Sequence, residues 1–211
     1  MSVAITCSIL SVRYRWAYLN RKKTTTKEII ISQTKILSIY LIAYSIIAIL
    51  AVAFQEKKEI DNLTLLQLII LWDGLFCIAV IDYQIKKIPN KILIFILLVR
   101  IIYIILSVIK NKGSFISLIA FSLFGMFIGG LIVLIVMLIS RGGIGAGDMK
   151  LFALLGLYFG MPGILSIMMY ALFIAAIFSA VMLISKKAKM KSTIPMAPFI
   201  LVGLSVYYLF L

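Results

Sequence analysis

The chain is written in apolar blocks, and the length of those blocks is what most constrains its fold. A helix rises 1.5 Å per residue, so about 20 uncharged apolar residues cross the hydrocarbon core of a bilayer. Past residue 35 the sequence supplies one apolar block of roughly this length after another, over residues 36–54, 63–81 (interrupted by Asp73), 92–109 (interrupted by Arg100) and 115–139. A longer stretch starting at Met149 is interrupted by Gly160-Met161-Pro162-Gly163, which divides it into 149–159 and 164–184, and a last block covers 198–211. These blocks predict an all-α, polytopic integral membrane protein with six to seven transmembrane helices. The fifth and seventh blocks hold eleven to fourteen residues, which rise only ~16–21 Å and need not cross fully. Composition agrees. Hydrophobic residues make up 64% of the chain and charged residues 13%, against about 45–50% and 25% in soluble domains. A soluble globular fold is excluded.

Residues 1–35 stand apart from the transmembrane domain expected over 36–211. The first twelve residues are apolar but too short to span, and Arg13, Arg15, Arg21, Lys22, Lys23 and Lys27 follow them. A cleavable signal peptide has its basic cluster before the apolar stretch, not after it. The segment therefore reads as a basic cytoplasmic or interfacial arm. The chain carries 21 Lys+Arg against 7 Asp+Glu, a formal charge of +14, which on its own suits a polyanion. Alternating the loops across a membrane gives a different account. Sixteen of the basic residues fall on the side of the arm, and four, Lys57, Lys58, Lys110 and Lys112, fall on the other. Basic loops stay in the cytoplasm, so the N-terminus is expected inside. Membrane lipid rather than nucleic acid is the expected partner of this charge.

Two absences narrow the chemistry. There is no histidine, which removes zinc proteases of the HExxH type and Ser-His or Cys-His hydrolases. The two cysteines, Cys7 and Cys77, form no CxxC pair, so no disulfide framework, metal site or cofactor is expected. Acid–base work falls to Asp, Glu, Lys or Tyr. Of the seven carboxylates, Glu28 lies in the arm, and Glu56, Glu59 and Asp61 lie in an external loop. Asp73, Asp82 and Asp148 remain in or at the membrane, where a carboxylate is costly and marks a candidate functional site.

Asp82 closes the second block at its cytoplasmic mouth, ahead of Tyr83-Gln84-Ile85-Lys86-Lys87-Ile88-Pro89-Asn90. Asp148 follows Gly142-Gly143-Ile144-Gly145-Ala146-Gly147 and opens the fifth block. The alternation places both on one face. Two carboxylates on one water can hydrolyse a peptide bond, one taking the water's proton and the other donating to the carbonyl oxygen or leaving nitrogen. Like charges held close do not both ionise, so such a pair titrates as a unit. The glycines permit positive φ and close approach of a substrate backbone. Taken singly, Asp82 fits a juxtamembrane loop residue, Asp148 an N-cap, and the glycines a tight turn or a phosphate-binding loop. Together they are far more specific.

Gly145-Ala146-Gly147-Asp148 matches the GxGD signature of intramembrane aspartyl proteases. With Met149-Lys150-Leu151, the upstream Asp82, Pro89 and Asn90, and the late Ile194-Pro195-Met196-Ala197-Pro198-Phe199, the chain resembles the type IV prepilin peptidases over about residues 36–211. The resemblance implies an aspartic endopeptidase that removes the short basic leader from prepilins or pseudopilins at the cytoplasmic face, with Asp82 and Asp148 catalytic. It also implies substrate-binding or loop-shaping roles for Gly145, Gly147, Lys150, Pro89, Asn90, Pro195 and Pro198. Larger members of that family also N-methylate the new N-terminus and bind zinc through two CxxC pairs. This sequence has neither pair, so peptidase activity alone is expected. The alternatives are a presenilin or signal-peptide-peptidase type of GxGD protease, and a membrane protein whose carboxylates bind or transport ions.

Counting residues gives Asp73 a role of its own. It lies nine residues inside Asp82, about 13–14 Å deep, and Arg100 lies eleven past Pro89, about 16 Å deep. Similar depth on antiparallel neighbours predicts a buried Asp73–Arg100 ion pair, structural rather than catalytic, whose loss on one side costs about 3–5 kcal/mol. Gly125-x-x-x-Gly129 and Gly156-x-x-x-Gly160 predict close helix packing. Cys77 reads as a small core residue, and Tyr83 as interfacial.

Overall fold

The computed structural model of this chain describes residues 61–110, 115–140, 145–185 and 194–210. Every regular element among them is a helix: α1 (Asn62–Ile85), α2 (Asn90–Lys110), α3 (Phe115–Ile139), α4 (Ala146–Ile184) and α5 (Ala197–Phe210). Helices α1 to α4 are long and apolar enough to cross a membrane, and α5 is a shorter apolar helix. The arm at 1–35 and the block at 36–54 lie outside the described residues, as do Cys7, Glu28, Glu56 and Glu59.

Helix α1 ends where Lys86 turns left-handed (φ 55°, ψ 42°) and its N–H returns to the Asp82 carbonyl at 2.8 Å. Pro89 disfavours helical backbone at Ile88, and α2 starts at once with Asn90. A four-residue connection makes α1 and α2 antiparallel neighbours. On α2, Ile92, Ile96 and Arg100 are buried at intervals of four, while Ile94, Leu98, Ile101 and Ile105 stay exposed. That is one inward stripe on a helix whose other face suits lipid. Gly74 of α1 faces this stripe, with the Ile96 side chain filling the place of its missing Cβ.

Helix α4 doubles back on itself. Its one non-helical residue is Gly160 (φ 65°, ψ −171°), a left-handed conformation that glycine adopts without strain. A straight helix would set Phe178 about 45 Å from Asp148. Phe178 instead packs on Phe199 at 5.2 Å, close to Ala197, whose amide reaches Asp82. Gly203 of α5 lies against Ala171, and Gly163 against Tyr207. The chain thus reverses at Gly160, and the second leg runs antiparallel to α5. Pro162 falls in the first turn of that leg, where its missing N–H leaves no bond unmade. The break sits where the Gly160-Met161-Pro162-Gly163 run predicts it, but it is confined to one residue.

The first leg of α4 is the core of the bundle. Leu151, Phe152, Leu155, Leu157 and Tyr158 are all buried, whereas Phe173, Ile177 and Val181 of the second leg are exposed. Helix α3 approaches the first leg so closely that a Cβ on Gly156 would strike the Gly125 carbonyl, and one on Gly129 would stand 2.7 Å from the Phe152 carbonyl oxygen. The close packing expected of the small-residue spacing is present, within the chain.

The expected Asp73–Arg100 ion pair is not formed. Arg100 is buried and donates from Nε to the Leu157 carbonyl at 3.1 Å, from one terminal nitrogen to Gln67 Oε1 at 3.0 Å, and from the other to Ser122 Oγ at 3.1 Å. Asp73 is buried too but makes no hydrogen bond or ion pair among the described residues. The physical reason is rotation. Gly74 is the α1 residue that faces α2, and Gln67, seven residues earlier, lies on the same face. Asp73 is turned about 100° away from it.

Candidate active site

Asp82 sits in the last turn of α1 and is 5% exposed. Its Oδ2 accepts a hydrogen bond from the Ala197 amide at 3.0 Å, with the Met196 amide beside it. Ala197 is the first residue of α5. The opening amides of a helix have no partner within it and carry the positive end of its dipole. A carboxylate is a fitting acceptor there. Pro198 occupies the second position of α5, where a proline costs no hydrogen bond, and Pro195 leads the chain in. The two prolines thus flank the helix start that seats Asp82.

Asp148 occupies the first turn of α4. Its N–H bonds to the Gly145 carbonyl at 3.0 Å, and its Oδ2 accepts from the Gly145 amide at 3.3 Å. This reciprocal pair fixes the start of the helix. Gly147 packs on the turn between α1 and α2, where a Cβ would lie 3.0 Å from Ile88 Cβ. A larger residue there would have to displace Ile88 or the start of α4. Residues 141–144, which include Gly142 and Gly143, lie outside the described residues.

Asp82 and Asp148 interact electrostatically and open on one cavity of about 350 Å³. Its walls also include Gly145, Gly147, Ile88 and Asn90, with Lys86, Lys87 and Lys150 adding positive charge. Lys150 donates to Asn90 Oδ1 at 3.2 Å across the mouth. A second, mainly apolar cavity of about 400 Å³ adjoins it, shares Asn90 and Lys150, and is lined by residues such as Leu93, Leu97 and Leu154. Pro89 is buried just ahead of α2. Tyr83, beside Asp82 in sequence, is 72% exposed and does not line the cavity. Asp73 and Arg100 take no part in it. Among the described residues, no three His, Cys, Asp or Glu side chains cluster to hold a metal.

Three segments far apart in sequence thus meet at one end of the bundle: the end of α1, the start of α4 and the start of α5. The first two were legible as candidate acids. The amides of Met196 and Ala197 were not, because backbone donors carry no residue signature. The proline pair was the available signal, since it marks a helix start, and helix starts favour anions.

The type IV leader peptidase family, taken as a sequence model, matches residues 68–184, a span that holds both aspartates. A curated relative, the prepilin leader peptidase/N-methyltransferase of Bacillus subtilis (strain 168), is 28% identical over 149 residues. That alignment covers 71% of this chain and 57% of the relative, so the match spans little more than half of the relative's length. No solved structure matches the chain.

Proposed function

This chain belongs to the type IV leader peptidase family, and on that premise we propose that it is a membrane aspartyl endopeptidase working through Asp82, Asp148 and one water. Its substrates are type IV prepilins or pseudopilins, which carry a short basic leader joined to an apolar segment. The observation that carries this reading is the shared cavity of Asp82 and Asp148 at the joined ends of α1, α4 and α5.

The chemistry follows from the two carboxyl groups. Asp82 is the base, because its Oδ2 already accepts the Ala197 amide, a bond that favours carboxylate over carboxylic acid. Asp148, facing that charge, holds the proton. Asp82 takes a proton from the water as its oxygen bonds to the scissile carbonyl carbon, and Asp148 donates to the carbonyl oxygen. Collapse of the tetrahedral intermediate breaks the C–N bond. The leaving nitrogen takes the proton from Asp82, and the intermediate's hydroxyl returns one to Asp148. The adjoining apolar cavity suits the segment after the cleavage point, and the polar cavity suits the scissile bond.

The protein belongs in the inner or plasma membrane with its N-terminus and active site at the cytoplasmic face. The sixteen-to-four division of basic residues supports this. No N-methyltransferase activity is assigned, since the chain has two cysteines and no CxxC pair. The test is reconstitution with a prepilin, reading leader loss for wild type, Asp82→Asn and Asp148→Asn. Each variant is expected to lose cleavage by at least about 10²-fold, the lower range for general acid–base groups. Cleavage retained by either one overturns the dyad. The mass of the mature N-terminus reads methylation directly.

A further inference from the structure

Arg100 is a full positive charge, 4% exposed, in the middle of an apolar bundle. Its described partners include no carboxylate. Intramembrane charge of this kind is costly and is kept where it does something. Its contacts say what. Nε donates to the carbonyl of Leu157, and the guanidinium stacks over the rings of Tyr103 and Tyr158 at about 5 Å. Leu157 lies three residues before the reversal at Gly160, so its carbonyl belongs to the last turn of the first leg of α4. The final carbonyls of a helix lack intrahelical donors and carry the negative end of its dipole. Arg100 therefore stands at the C-terminal end of the same leg that carries Asp148 at its N-terminal end. Its other nitrogens reach Gln67 of α1 and Ser122 of α3. One side chain ties the end of this leg to the three helices around it.

We propose that Arg100 is the positioning residue for Asp148: by capping the Leu157 end of the first leg of α4 and bonding that end to α1 and α3, it sets how far Asp148 advances toward Asp82. The Gly160 reversal and the buried arginine are two halves of one device. Gly160 creates a helix end inside the membrane, and the guanidinium satisfies it. Between Asp148 and Leu157 the leg is about 13–14 Å of continuous helix, pressed against α3 at Gly125 and Gly156. A shift at one end is carried to the other.

This inference rests on the proposed role of Asp148, so the test reads position and activity separately. Position is read by the rate at which a short bismaleimide links Asn90→Cys to Lys150→Cys, residues now in contact across the cavity mouth, with the native cysteines replaced. Activity is read as kcat and KM for prepilin cleavage without those cysteines. Two backgrounds are compared with wild type. Arg100→Lys keeps the charge but cannot span three acceptors on three helices. Arg100→Met with Gln67→Leu and Ser122→Ala replaces the polar side chains around the Leu157 carbonyl by apolar ones, a kind of change that commonly preserves folding. Both are expected to slow linking at least threefold and lower kcat about tenfold, with KM within twofold. Linking at the wild-type rate in either folded background overturns the proposal, whatever happens to kcat. Slower linking with unchanged kcat upholds the anchor and counts against Asp148 as a catalytic group.

Discussion

One methyl group at Gly125 tests how the core of the site is held together. An added Cβ there would stand 2.5 Å from the Gly160 Cα and closer still to the Gly156 carbonyl, where ordinary contact is 3.4–4 Å. All of these neighbours are backbone, so no side chain can swing aside. Helix α3 and the first leg of α4 must separate by about 1 Å. Overpacking of this kind costs up to about 3 kcal/mol, while alanine gains about 1 kcal/mol over glycine in a helix interior. The net expectation for Gly125→Ala is a loss of about 2 kcal/mol, or roughly 4–8 °C in Tm for a chain of this size. Asp148 lies eight residues from Gly156 on the same leg, and under the proposed mechanism a 1 Å misplacement of such a group costs on the order of 10²-fold. Cleavage should therefore fall about ten- to a hundredfold even where the protein stays folded.

Gly130→Ala is the internal control. It sits on the same helix, but its Cβ would meet only the Ala153 methyl, at 3.3 Å. That approach asks for a shift of a few tenths of an ångström, which the helix-propensity gain of about 1 kcal/mol offsets, so the variant should stay close to the wild-type Tm and keep its activity. Both variants are compared in detergent by thermal unfolding and by prepilin cleavage. If Gly125→Ala is as stable and as active as Gly130→Ala, the backbone contact does not set the position of Asp148, and the reasoning fails.

Ala197→Pro removes the amide that donates to Asp82 Oδ2 at 3.0 Å while keeping a residue suited to a helix start. Hydrogen bonds to charged groups are worth about 1.5–3 kcal/mol, so kcat should fall about ten- to a hundredfold, whereas Ala197→Gly, which keeps the amide, should stay within about twofold. The pH dependence of kcat/KM should be bell-shaped, falling in acid as the base is protonated and in alkali as the acid loses its proton; a profile flat across both limbs would rule out a two-carboxyl mechanism.

What the residues disclosed in advance depended on whether the physics was local. Apolar length predicted helices in a membrane, and the Gly160-Met161-Pro162-Gly163 run predicted a break, because both follow from a few neighbouring residues. Asp82 and Asp148 stand out as candidate acids by elimination, since a chain without histidine leaves so few groups able to move a proton at the membrane edge. The seat of Asp82 on α5 was hidden, because it joins positions 115 residues apart through backbone amides. The mistaken Asp73–Arg100 pair has a sharper lesson. Depth was counted correctly along each helix, but a contact needs rotation as well as depth. With Gly74 against Ile96, Arg100 lies one turn further along α2 and its long side chain reaches Gln67, two turns further along the same face of α1, while Asp73 points elsewhere. The guanidinium then finds its counter-charge not in a carboxylate but in the carbonyl end of a helix that stops at Gly160, a partner that exists only once the chain has folded back.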